Sequence, residues 1–131
     1  MSPRHAVQLS VVDAYLRSCF ESESVPSVKE LAALTGVSRV TLQRRFRVNH
    51  AINLSTYFKR AQIGRAELLL RETGLTTTAI AYRAAFTTRR TFYRAFLRET
   101  GTTPDRYRRA ARGLYPNAPI HHYSDPSSLI V

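Results

Sequence analysis

Apolar residues recur at helical spacing through most of the chain. Val11, Val12, Tyr15, Leu16, Cys19 and Phe20 fall three and four apart, predicting a first helix over positions 10–23. Pro26 follows its end. Ser27 with Glu30 three residues on is a capping box that opens a second helix, with Leu31, Ala32 and Leu34 inward. Thr35-Gly36-Val37 form a turn in which Gly36 can take positive φ. Ser38 then caps a third helix, whose buried stripe is Leu42 and Phe46.

The longest helix opens at Asn53 or Ser55 and ends near Arg71, with Tyr57, Phe58, Ala61, Ala66, Leu69 and Leu70 along it. Thr73-Gly74 stops it. Thr76 caps a fifth helix with Ile80, Ala81 and Ala84 inward, Ala85-Phe86 make a turn, and Thr87 caps a sixth that Gly101 closes. Thr103-Pro104 start a short seventh, with proline in its first turn, and Tyr107 follows. Positions 113–131 are rich in Pro, Ser and His and have no period. They form a tail that is either mobile or laid across the surface.

The two halves repeat. Leu42 and Phe92, Arg44 and Arg94, Phe46 and Phe96, and Tyr57 and Tyr107 each lie fifty apart, while Leu31-Ala32 and Ile80-Ala81 lie forty-nine apart, so the second turn holds one extra residue. The pattern predicts an all-α fold of about seven helices: a helix-turn-helix subdomain (1–52), a linker helix (53–73), a second helix-turn-helix subdomain (74–112) and the tail (113–131). A linker of about eighteen residues is roughly 27 Å long. With the width of the units added, it can set the third and sixth helices about 34 Å, one turn of DNA, apart.

Charge adds to this picture by its placement. The net charge is +11, yet positions 1–38 carry three cations (Arg4, Arg17, Lys29) against four acids, and the other seventeen cations face five acids in positions 39–131. The excess begins at the third helix. Eighteen of the twenty cations are arginine, which suits bidentate contacts to phosphate and guanine. The third helix shows Arg39, Gln43, Arg44 and Arg47 opposite its apolar stripe, a face suited to a DNA major groove. No apolar run is long enough to span a membrane, and no basic helix has an unassigned broad apolar face, so a membrane partner is not expected. The N-terminus shows no secretion signal.

Cys19 is the one cysteine and lies among apolar residues, which reads as a buried structural thiol. His121-His122 lack further ligands at suitable spacing, so neither a metal nor another cofactor is expected. No glycine-rich phosphate loop, GxSxG or other catalytic constellation is visible, and the chain does not read as an enzyme.

Ile80-Ala81, Phe86, Phe92, Arg94-Ala95-Phe96, Gly101, Pro104 and Tyr107-Arg108, with Leu31-Ala32, Gly36-Val37-Ser38, Leu42, Arg44 and Phe46 in the first half, resemble the DNA-binding domain of the AraC/XylS family of bacterial transcription regulators. The resemblance covers roughly positions 10–109, and the short chain is similar to the family's stand-alone members. It implies two helix-turn-helix units and promoter activation beside RNA polymerase, hence a cytoplasmic, nucleoid-associated protein. By position in the motif, Val40, Gln43 and Arg44 would face bases, and Arg89, Arg90, Thr91, Tyr93 and Arg94 would face bases or phosphates, base edges being the first assignment. Ser38, Arg45, Arg47, Lys59, Arg60, Thr87, Arg106, Arg108 and Arg109 would contact phosphates.

Four positions depart from the family pattern. Ala85 stands where glycine is usual, Gln62 where arginine is, Thr77 where an apolar residue is, and Ala51 replaces the glycine that Gly101 retains. Ala85 at positive φ would cost roughly 1 kcal/mol and alter the second turn.

The expected function is a sequence-specific regulator that binds promoter DNA as a monomer, most simply as an activator. Two alternatives stay open: the DNA-binding half of a longer effector-responsive regulator, and a non-specific nucleic-acid-binding or protein-interaction module.

Overall fold

The computed structural model describes residues 8–114. Positions 1–7 and 115–131, which hold His5, His121-His122 and nearly all of the expected tail, lie outside the described residues. Seven α-helices follow one another: α1 (Leu9–Ser22), α2 (Val28–Thr35), α3 (Arg39–His50), α4 (Leu54–Glu72), α5 (Thr77–Arg83), α6 (Arg89–Thr100) and α7 (Pro104–Arg109). A π-helical turn (Ala110–Leu114) ends the described chain.

Hydroxyl caps decide where most of these helices start. The side chains of Ser27, Ser38, Thr76 and Thr103 each accept a backbone N–H three residues on. The sixth helix differs from expectation, because its cap is Thr88 and not Thr87. Thr87 is itself the extra residue of the second turn, inserted between inward Phe86 and the cap. The offset of fifty from Ser38 already pointed to Thr88.

The capping box at α2 is also modified. Ser27 Oγ accepts from Glu30 N, but the Glu30 carboxylate does not return to the Ser27 backbone. Tyr15 of α1 stands between them: its hydroxyl accepts from Ser27 N at 2.8 Å and donates to Glu30 Oε1 at 2.6 Å. Burial and this carboxylate push the Tyr15 phenol far above its ordinary range. Leu34, expected inward, is 69% exposed, because at about 3.6 residues per turn it falls well off the face shared by Val28, Leu31 and Ala32, which pack on the first core.

Two cores meet on α4. Leu54, Tyr57, Phe58 and Ala61 enter the first, with Val12, Leu16, Phe20, Leu31, Leu42 and Phe46. Ile63, Ala66, Leu69 and Leu70 enter the second, with Ile80, Phe86, Phe92 and Phe96. Gln62 lies at the seam, 3% exposed. The Tyr57 hydroxyl donates to Asp13 at 2.6 Å, tying α1 to α4.

Further contacts hold the second unit to the first. Arg83 and Glu23 pair at 3.8 Å and Ala85 of the second turn is buried in the first core, while from α4 the Arg65 guanidinium lies over the Phe20 ring of α1. The linker therefore serves as a shared wall of both cores and not as a free spacer.

Candidate nucleic-acid interface

Both candidate recognition helices bury apolar anchors and turn a polar face outward. On α3, Leu42 and Phe46 are fully buried while Val40, Gln43, Arg44 and Arg47 are exposed. On α6, Phe92, Ala95 and Phe96 are buried while Arg89, Arg90, Thr91 and Arg94 are exposed. The repeat extends to the caps. Ser38 Oγ lies 2.9 Å from Thr41 Oγ1 and Thr88 Oγ1 lies 2.9 Å from Thr91 Oγ1, each pair closing the first turn of its helix.

The C-caps also match. Gly101 (φ 78) ends α6, and Ala51 (φ 61) ends α3 in the same left-handed conformation. Gly36 (φ 76) and Ala85 (φ 67) make the equivalent bends of the two turns.

The phosphate candidates divide. Arg47, Arg60, Arg106 and Arg109 are exposed and Arg45 is half-buried. Arg47 Nη1 also donates to Asn53 Oδ1 at 3.3 Å, which leaves its other N–H groups outward.

Arg108 has a different employment. Its Nε donates to the Leu70 carbonyl at 3.1 Å and its Nη2 to that of Thr73 at 3.2 Å. Arg112 donates to the carbonyls of Arg71 and Thr73. Together they cap the negative end of α4, where carbonyls have no helical partner. Arg108, expected to serve phosphate, spends its Nε and Nη2 on these carbonyls and so acts within the protein. Arg112 was missed because a cap formed by residues about forty positions away leaves no local signal.

Lys59 also has an internal partner. It is half-buried with Nζ 5.1 Å from the centroid of the Phe86 ring. Burial and the nearby Arg98 lower its ammonium below the usual lysine range. Of the base candidates, Tyr93 stands apart. It is half-buried, its ring packs edge-on against Phe92, and its hydroxyl donates to Asp105 at 2.8 Å. Thr87 is exposed in the turn but caps nothing.

Among the described residues no three His, Cys, Asp or Glu side chains gather into a metal-binding group, and no helix is long and apolar enough to cross a membrane. Two capped helices, each presenting arginine from one end of a shared helix, define a helix-turn-helix protein of the DNA-binding class.

The comparisons agree. A family model described as a helix-turn-helix domain matches residues 31–110, and the chain belongs to this AraC-type family of DNA-binding transcription regulators. The chain is similar to the DNA-binding domain of the global transcriptional factor AdpA, solved in complex with a target DNA. That match is at 26% identity over 84% of this chain and 96% of that one, with a TM-score of 0.73. It is also similar to the C-terminal domain of AraT, a response regulator from Geobacillus stearothermophilus, at 25% identity over 93% and 96%, with a TM-score of 0.74. The transcriptional regulator CdpR from Pseudomonas aeruginosa matches at 29% identity over 69% of this chain but 28% of its own, with a TM-score of 0.61. No curated protein matches by sequence.

Proposed function

We propose that this protein is a sequence-specific transcription regulator, acting as an activator, that binds double-stranded promoter DNA as a monomer in the cytoplasm and works beside RNA polymerase. The reading is carried by one observation: α3 and α6, with matched caps and matched buried anchors, each turn exposed arginines outward from the two ends of α4. They enter successive major-groove segments. Arg45, Arg47, Arg60, Arg106 and Arg109 grip phosphates and set register. Gln43, Arg44, Arg90 and Arg94 read base edges, arginine favouring guanine and glutamine adenine, while exposed Val40 meets a thymine methyl. Ser38 and Thr88, with the free N–H groups of their first turns, add phosphate contacts at the helix N-termini.

The test is selection of bound duplexes from a random pool, with affinity followed against salt. The expected result is an asymmetric consensus of two short blocks about one helical turn apart. A steep salt dependence with no consensus marks a non-specific binder and overturns the proposal. The CdpR match, in which this fold is 28% of the longer chain, favours a second reading: the DNA-binding part of a longer effector-responsive regulator.

A further inference from the structure

We propose that Asp105 and Tyr93 are positioning residues that hold Arg89 as a preset guanine reader of the second unit. This rests on the DNA-binding reading above and names the residues that give the second half-site its specificity.

Arg89 is the first residue of α6, where recognition helices meet base edges. It is also a poor place for a free cation, since it faces the positive end of the helix dipole. The structure holds it there with Tyr93, four residues on in α6, supported by Thr77 of α5 and, through Tyr93, by Asp105 of α7. The Arg89 guanidinium stacks on the Tyr93 ring, with its carbon 4.3 Å from the ring centroid. Its Nη2 donates to the Tyr93 hydroxyl at 3.0 Å, and that hydroxyl donates to Asp105 Oδ2 at 2.8 Å. Its Nε reaches Thr77 Oγ1 on α5 at 3.5 Å, the outer limit of a hydrogen bond. Tyr93 is in turn fixed by its edge contact with Phe92 in the second core.

Each of these contacts is exposed and weak alone. Together they remove rotamer freedom that a mobile arginine would lose on binding. They also leave both Nη1 N–H groups and one on Nη2 for an acceptor pair. The planar fork matches guanine O6 and N7. Asp105 carries the one acid of the network. It offsets the helix end and keeps the Tyr93 hydroxyl oriented with its proton away from Arg89, so that the oxygen accepts from the guanidinium. The first unit has Gln43 and Ser55 at the positions fifty before Tyr93 and Asp105, which supply neither ring nor charge, so the device belongs to the second unit.

The experiment measures the affinity of Asp105→Asn, Tyr93→Phe, Arg89→Ala and the double variant Arg89→Ala/Asp105→Asn. Each is titrated with the selected consensus and with duplexes changed at single base pairs. Thermal unfolding checks each variant's fold, and Tyr93→Phe, which keeps the ring, carries the test if Asp105→Asn is unfolded. A bidentate arginine–guanine contact discriminates by roughly 5- to 150-fold. Asp105→Asn and Tyr93→Phe are expected to cut that preference several-fold at one G·C pair of the second half-site and to leave the first half-site's preferences unchanged. Arg89→Ala is expected to abolish it at the same pair, and the double variant to lose nothing more.

If Asp105→Asn tightens binding to every duplex with discrimination intact, Asp105 is only a charge that repels DNA and the proposal falls. It falls equally if Arg89→Ala weakens all duplexes alike, since Arg89 is then a phosphate contact, or if Tyr93→Phe keeps full discrimination. In those cases the two-block consensus survives and the regulator reading stands. A wild-type protein that selects no consensus overturns both.

Discussion

The side-chain amide of Gln62 donates a 3.0 Å hydrogen bond to the backbone carbonyl of Ala85, and both residues are buried. Gln62 stands on α4 where the two cores meet. Ala85 is the bend of the second turn, with φ 67, and is the residue of that turn that enters the first core. The bond satisfies a carbonyl that no helix serves and fixes where the second unit sits on the linker. Two of the departures from the family pattern, a glutamine for arginine and an alanine for glycine, are thus partners in one contact.

Gln62→Ala leaves the Ala85 carbonyl buried and unpaired, and is expected to destabilise the protein by about 1–3 kcal/mol. Denaturant unfolding measures this. A change under about 0.5 kcal/mol, within the usual range for an inconsequential surface substitution, would count against a structural role for the bond.

The two left-handed alanines should respond differently to glycine. Ala51 is exposed at φ 61, so Ala51→Gly relieves backbone strain by more than glycine's extra unfolded-state entropy costs, and is expected to stabilise by about 0.5–1 kcal/mol. Ala85 is fully buried, so Ala85→Gly gains the same relief but loses a packed methyl of about 0.8 kcal/mol, leaving little net change. Paired thermal melts decide it, and equal gains at both sites would contradict the packing described for Ala85.

Arg108 and Arg106 separate structure from binding. Arg108→Ala uncaps α4 and is expected to cost about 1 kcal/mol or more of stability, with little change in the salt dependence of DNA binding. Arg106→Ala is expected to leave stability intact and lower the salt slope by about 1. A reversed pattern would return Arg108 to the phosphate layer.

Arg44 and Arg94 occupy matching exposed slots on α3 and α6. Replacing either with alanine is expected to cost about 1–3 kcal/mol at the selected site and to relax base preference within its own half-site. A loss that is equal on all sequences would assign them to phosphate.

Cys19 is 2% exposed, and burial raises its thiol above the ordinary cysteine range. Above about pH 8.5 the unfolded chain loses a thiol proton that the folded chain keeps. The folded state then binds more protons, so stability falls as pH rises, and is fully present below that range. Unfolding free energies of the wild type are expected to decline more steeply than those of Cys19→Ala between pH 8 and about 9.5. Parallel slopes would show a thiol that titrates freely when folded.

The sequence by itself determined the local structure. Spaced apolar residues set the seven helices, serine and threonine set most of their starts, and the fifty-residue offset exposed the duplication, because each of these is written in residues a few positions apart or in a repeated pattern. It also marked which arginines lie opposite an apolar stripe. Its errors were local ones of register, as at Thr87 and Thr88, where one inserted residue moved the cap. Leu34 shows a second kind of error, in which an apolar residue was read as inward although it lies off the helix face that Val28, Leu31 and Ala32 bury.

Only the tertiary structure decided which polar side chains serve the protein and which remain for a partner. Arg108 and Arg112 cap a helix about forty residues away, Gln62 meets Ala85 across the seam of two cores, and Asp105 reaches Arg89 through Tyr93. Arginine looks the same in sequence whether it faces carbonyls or solvent. The choice depends on which carbonyls, rings and carboxylates the packed helices bring within 3 Å or so of it, a distance set by folding and not by spacing.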